Sequence, residues 1–253
     1  MAYNIYLYLC SMCYFKSNSQ KVEEIETRYK AKAKDPKQHK ARYKENGFDF
    51  LKLAIVRAED PAILSFHRWG LVPSWTKSVQ DAKEMRAKTL NARAETIFEK
   101  PSFKNIIVRK RCLVPSTGYF EWMHNDKRKI PHFLSLREQR PFSFAGIYDS
   151  WINPTSGERY DTFSIVTTEA NPLAARIHNS KQRMPLILTE KEEEMWLDKN
   201  LSEVLLKSLF RPFPEEEMQA WEINDKRMKD AQDTDPKIIE PFTDPAGMQA
   251  SLF

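Results

Sequence analysis

Between residues 51 and 188 the chain is a succession of short β-type runs, and this most narrows what it can fold into. The runs fall at 51–56, 65–71, 111–114, 119–122, 132–136, 142–151, 162–168 and 186–188. Several alternate apolar and polar residues, the pattern of half-buried antiparallel strands. Helical periodicity is confined to short stretches. Val22, Ile25, Tyr29 and Ala33 predict an amphipathic helix over 20–34 with Ser19 as its N-cap. Residues 102–109 suit a short helix. Thr189 and Glu192 form a capping box opening a helix that carries Met195, Trp196 and Leu197. Many strands with few helices between them predict an α+β domain around a mostly antiparallel, strongly bent sheet or barrel with flanking helices, and the length permits one large domain or two small ones. The chain has 253 residues and 41% hydrophobic content, enough for one substantial core. After Pro214 the composition turns polar and proline-punctuated, so the tail is expected to wrap the surface or be disordered.

Charge is unevenly spread. Residues 212–253 hold 10 acidic and 4 basic side chains, and since the whole chain is +5, residues 1–211 carry +11. Eight Lys/Arg fall within 28–44 alone. A body of this sign attracts polyanions with salt-sensitive affinity, although the 28–44 run reads equally well as a solvated helix and loop. No run reaches the ~18 apolar residues that cross a bilayer, so no membrane partner is expected. Residues 1–11 lack the basic start and long apolar run of a signal peptide, and read as an upstream extension. Three cysteines, Cys10, Cys13 and Cys112, make no disulfide framework and suit a reducing compartment, hence a cytoplasmic placement. Cys112, in an apolar run, is expected to be buried and inert.

Cys13 follows Met12. Were the residues before it removed, it would carry a free α-amine beside its thiol. Such groups have unperturbed pKa values of about 7.7–8.0 and about 8.5, so both are partly nucleophilic near neutrality. The amine can condense with an aldehyde to an imine, and the sulfur can close a thiazolidine ring. A proton-handling partner is then needed. Glu121, between Phe120 and Trp122, would have a raised pKa if buried; strand alternation instead puts it in solvent. His178 suits proton transfer, or is a satisfied structural histidine. Asn91 can hold an amine or carbonyl, or simply form a turn. Trp69-Gly-Leu-Val-Pro-Ser-Trp75 brackets Pro73 with two aromatics, and Lys77, Lys83, Arg86, Lys88 and Arg93 follow. Aromatics interleaved with cations suit stacking and phosphate pairing with single-stranded nucleic acid. The competing reading makes the tryptophans core, and one of them is expected to be. No Cys/His spacing resembles a zinc site and no glycine-rich phosphate loop is present.

Five segments together resemble the SOS-response-associated peptidase (SRAP) family, whose members shield abasic sites in DNA. They are Met12-Cys13, the 69–75 segment, Asn91-Ala-Arg-Ala-Glu-Thr96, Gly118-Tyr-Phe-Glu-Trp122 and His178 through Arg183-Met-Pro185. Each is weak alone; their shared order makes the signal, which spans 12–241 and leaves 1–11 and 242–253 as flanks. The resemblance implies an autoproteolytic, lyase-like protein that crosslinks itself to abasic sites in single-stranded DNA. It assigns the nucleophile to Cys13, orientation of its amino end to Asn91, and proton handling during sugar opening to Glu121 and His178. It places phosphate contacts at Arg93 and Arg183 and a base wedge at Trp69 to Trp75. It implies no metal or organic cofactor, and a monomer is expected. The chain departs from the family in its eleven leading residues, in Tyr14-Phe15 where Gly-Arg is common, and in a longer 179–182 spacer. Its end, Gln249-Ala-Ser-Leu-Phe253, is similar to the Gln-x-x-Leu-Phe pentapeptide with which bacterial repair proteins dock on the sliding clamp. Here Gln249, Leu252 and Phe253 would make the contacts. The rival readings are a thiol peptidase using Cys13, His178 and Glu121 on other proteins, and a non-covalent single-strand binder.

Overall fold

Five strands close on one another into a barrel, and the site is built at its seam with a second sheet. The computed structural model describes residues 13–126 and 128–243. In chain order the strands are β1 (Phe15–Asn18), β2 (Lys32–Ala33), β3 (Arg42–Asn46), β4 (Lys52–Arg57), β5 (Asp60–Trp69), β6 (Asn91–Arg93) and β7 (Arg111–Ser116). They continue with β8 (Gly118–Asn125), β9 (Arg128–Leu136), β10 (Phe142–Ile152), β11 (Arg159–Glu169), β12 (Arg183–Pro185), β13 (Ile187–Leu188) and β14 (Met218–Glu222). The helices are α1 (Val22–Tyr29), α2 (Val79–Lys88), α3 (Pro172–Ile177), α4 (Glu190–Leu197), α5 (Glu203–Ser208) and α6 (Asp225–Asp230).

The order β11-β10-β7-β4-β5 is closed by a parallel β5–β11 pairing at Arg68↔Thr162 and Trp69↔Phe163. One face of these strands buries Leu53, Ile55, Val114, Phe144 and Phe163 together; the other buries Ala54, Val56, Leu113 and Ile147 with Ile25, Trp196 and Leu206 of the helices. The first group is joined by Leu173, Ala174 and Ile177 of α3 and by Tyr119 and Leu134 of the second sheet. Period-2 alternation therefore serves two cores here, and these strands are buried on both faces. The second sheet, β14-β9-β8-β1-β3, is antiparallel. β7 runs into β8 across Thr117 alone, so one continuous stretch of chain belongs to both sheets.

Three expectations are corrected. The first helix is shorter than 20–34: Lys21 occupies its N-cap position, where the Glu24 carboxylate accepts the Lys21 N–H, and Lys30 ends it in a left-handed conformation. Ser19 instead bonds Thr117 across the sheet seam. Residues 102–109 form successive turns without a continuous helix. Residues 214–243 are ordered: β14 extends the second sheet, and Ile223, Met228 and Ile238 are buried against Phe120 and Phe133. The capping box at Thr189 and Glu192 forms as expected.

Candidate active site

The register of the second sheet delivers Cys13. Phe15 opposes Phe120 in an antiparallel pair, so the two residues before β1 extend past Glu121 and Trp122. Cys13 is 3% exposed, and its thiol hydrogen-bonds the Glu121 carboxyl. From the barrel, β6 pairs in parallel with β11, Asn91 at Ile165 and Arg93 at Thr167. Asn91 is thereby fixed with its Nδ2 donating to the Cys13 carbonyl at 3.1 Å. The α3 helix packs on β8 and ends at His178, which faces Glu121. Cys13, Asn91, Glu121 and His178, more than 160 residues apart at the extremes, thus share one buried site.

Its electrostatics follow from burial. Glu121 is 4% exposed rather than solvent-facing, because the first half of β8 is covered on both faces. Desolvation raises its pKa to about 8, against the opposing effect of the Cys13 hydrogen bond. The Cys13 thiol is pushed well up, first by burial and then by the charge and hydrogen bond of Glu121. His178 is pushed down by burial. Its Nδ1 lies 2.9 Å from the Arg183 carbonyl, an acceptor, so Nδ1 carries the proton and Nε2 is the free lone pair. The 3.6 Å approach of Nδ1 to Glu121 is accordingly a contact between two neutral groups near neutrality, not an ion pair. Four buried polar atoms in or beside this site have no partner: Asn91 Oδ1, Glu121 Oε1, the Tyr119 hydroxyl and Arg183 Nε. Unsatisfied buried groups are costly, and here they cluster round Cys13.

The remaining predicted residues divide. Arg183, on β12 beside β11, is at the site, but its guanidinium is held by Glu95 at 2.6 and 2.9 Å and by the Thr167 carbonyl. The long 179–182 spacer does not displace it: Gln182 N–H bonds the His178 carbonyl in a tight turn that returns the chain to β11. Arg93 is exposed on the same edge. Trp69 is corrected from wedge to core. It is 1% exposed, stacks near Phe163, and donates its indole N–H to the Leu90 carbonyl. Pro73 is also buried, whereas Trp75 is 52% exposed, so one tryptophan of the pair is core, as expected. Arg86 lies on α2 with its guanidinium 4.0 Å from the Phe50 ring centroid. Cys112 is fully buried and its thiol pushed up by desolvation. Tyr119 and Glu95 were missed as site residues; both lie inside the motifs that drew attention, but no spacing signals an orphaned hydroxyl or a clamp on Arg183. Cys10, Met12, Gln249, Leu252 and Phe253 lie outside the described residues. Among the described residues no His, Cys, Asp or Glu cluster is placed to share a metal ion, and no helix is long and apolar enough to cross a membrane.

The SOS response associated peptidase (SRAP) family model matches residues 12–229. The chain belongs to the SRAP family. It is 39% identical over 175 residues to the abasic site processing protein YoqW of Bacillus subtilis, covering 68% of this chain and 74% of that one. It is 36% identical over 156 residues to the abasic site processing protein HMCES of Gallus gallus, covering 54% of this chain and 45% of the relative. A crystal structure of a Bacteroides thetaiotaomicron protein superposes with a TM-score of 0.87 at 42% identity, covering 91% of this chain and all of that one. Cys13, Asn91, Glu121, His178 and Arg183 all fall within the span matched by this SRAP family model.

Proposed function

We propose that this SRAP protein recognises abasic sites in single-stranded DNA and captures the ring-opened sugar on Cys13 as a thiazolidine, shielding the lesion. The reading rests on the cluster of unsatisfied polar atoms round Cys13, and the names of the related abasic site processing proteins agree with it.

The chemistry begins with hydrolysis of the Met12–Cys13 bond, by the protein itself or by an aminopeptidase, which frees the α-amine. Asn91 keeps the new terminus in place through the Cys13 carbonyl. Glu121, protonated below about pH 8, donates to the sugar ring oxygen as the C1–O bond breaks, while the C1 hydroxyl gives up its proton to leave an aldehyde. The amine adds to this carbonyl and water leaves, giving an imine. Sulfur then adds to the imine carbon and the thiol proton passes to nitrogen, closing the ring; one water is lost overall. His178, neutral and with Nε2 free, is the candidate relay for these protons. Cys13→Ala is expected to abolish a DNA adduct that survives denaturing electrophoresis, and Cys13→Ser to weaken or lose it. Wild-type crosslinking by Cys13→Ala would refute the reading. The same proposal extends to the tail, with Gln249, Leu252 and Phe253 docking on the sliding clamp.

A further inference from the structure

A second feature lies away from Cys13, where α2 folds back over the end of β5. Gly70 permits this approach: its φ is +111°, and a side chain there would meet the Arg86 carbonyl at 2.8 Å. The result is a cavity of about 120 Å³. Buried Trp69 and Trp151 and partly buried Phe50 and Tyr160 line it, together with three cations, Arg68, Lys83 and Arg86, and no carboxylate.

The two arginines are unusually uncompensated. Arg86 lies over Phe50 and Arg68 has its guanidinium carbon 5.9 Å from the Tyr160 ring centroid, so aromatic faces hold both in place. Among the described residues neither forms an ion pair with an acid; Arg68 Nη1 donates to the Phe50 carbonyl at 3.4 Å, and Arg86 Nε is buried without a hydrogen-bond partner. Burial and the neighbouring Arg68 charge both push the Arg86 pKa down, as expected of cations crowded without a counterion. Fixed planar guanidinium donors suit phosphate oxygens. The aromatic lining suits a sugar or base better than a small free anion.

We propose that this cavity is a phosphate subsite for the DNA strand, separate from the crosslinking centre, in which Arg68 and Arg86 grip a phosphate neighbouring the lesion. Thr162 lines the cavity, and Asn91 sits opposite Ile165, three residues further along β11. That offset is about 10 Å, within reach of a strand whose abasic sugar lies at Cys13. The inference rests on the DNA-binding reading above but not on its covalent step.

The test is equilibrium binding of a labelled single strand bearing a tetrahydrofuran lesion, which cannot crosslink, across a range of salt concentrations. The paired variant Arg68→Gln/Arg86→Gln is expected to bind about tenfold more weakly at low salt. Its salt slope should fall by about 0.7 for each phosphate no longer neutralised. Lys83→Gln, at an exposed position, should flatten the slope in the same direction and serves if the paired variant does not fold. Unchanged affinity and slope in the folded variants would overturn the proposal. So would inorganic phosphate binding that these variants abolish while strand affinity stays intact, since the cavity would then serve a free anion. A reduced slope without any adduct in wild type leaves the subsite standing and removes the crosslinking reading; an adduct with an unaltered slope does the reverse.

Discussion

Glu121 holds its proton through neutral pH because β8 buries it beside Cys13 and lifts its pKa to about 8. The folded value lies above the unfolded one, so the native state binds the proton more tightly. This contribution to stability is full below about pH 4, and is lost as pH rises through about 8. Urea unfolding at pH 5, 7 and 9 should show stability falling by on the order of a few kcal/mol across this window, with Glu121→Gln flattening the fall. The same variant should slow adduct formation by about 10²-fold or more, the usual contribution of a positioned acid. It should also remove the decline in wild-type rate above pH 8, read by quenched time courses on denaturing gels. What the sequence revealed at this scale was chemistry, and what it hid was environment. Cys13, Asn91, Glu121 and His178 could be singled out because their side chains suit the reaction. Glu121's burial and the Glu95 grip on Arg183 depend on tertiary neighbours that alternation does not encode.

Among the elements, the β1–β8 register and the run-on from β7 to β8 make the site, since together they lay Cys13 against Glu121 at the seam between sheets. The strand pattern announced the barrel through short apolar runs between turns, although alternation is lost where both faces are covered, as at residues 53–56. It could not announce β14 and α6, whose few apolar anchors are diluted in a polar, acidic stretch. Those anchors matter. Ile238 is fully buried against the cluster containing Phe120, next in sequence to Glu121. Ile238→Ala is expected to cost about 2–4 kcal/mol in urea unfolding, with the Cys13 chemistry retained in the folded fraction. A loss under about 0.5 kcal/mol would mean that residues 214–243 are dispensable to the fold. The first helix fell short of its predicted span for a local reason: Lys30 turns left-handed, and Ala33 joins β2 beside β5.

For the molecule as a whole, positive charge is in excess over residues 1–211 while the tail is acidic. The body should bind single strands with steep salt dependence. A peptide of the last fifteen or so residues is expected to bind the sliding clamp by fluorescence anisotropy, and to lose binding when Leu252 and Phe253 become alanine. No affinity in the intact peptide would remove the clamp from the account. The central claim is chemical and is tested most directly by intact mass spectrometry of the protein before and after exposure to an abasic single strand. The account predicts a chain beginning at Cys13 that gains the mass of the strand less one water, with no such gain in Cys13→Ala. An adduct on a chain still carrying residues 1–12, or one formed equally by Cys13→Ala, would contradict it.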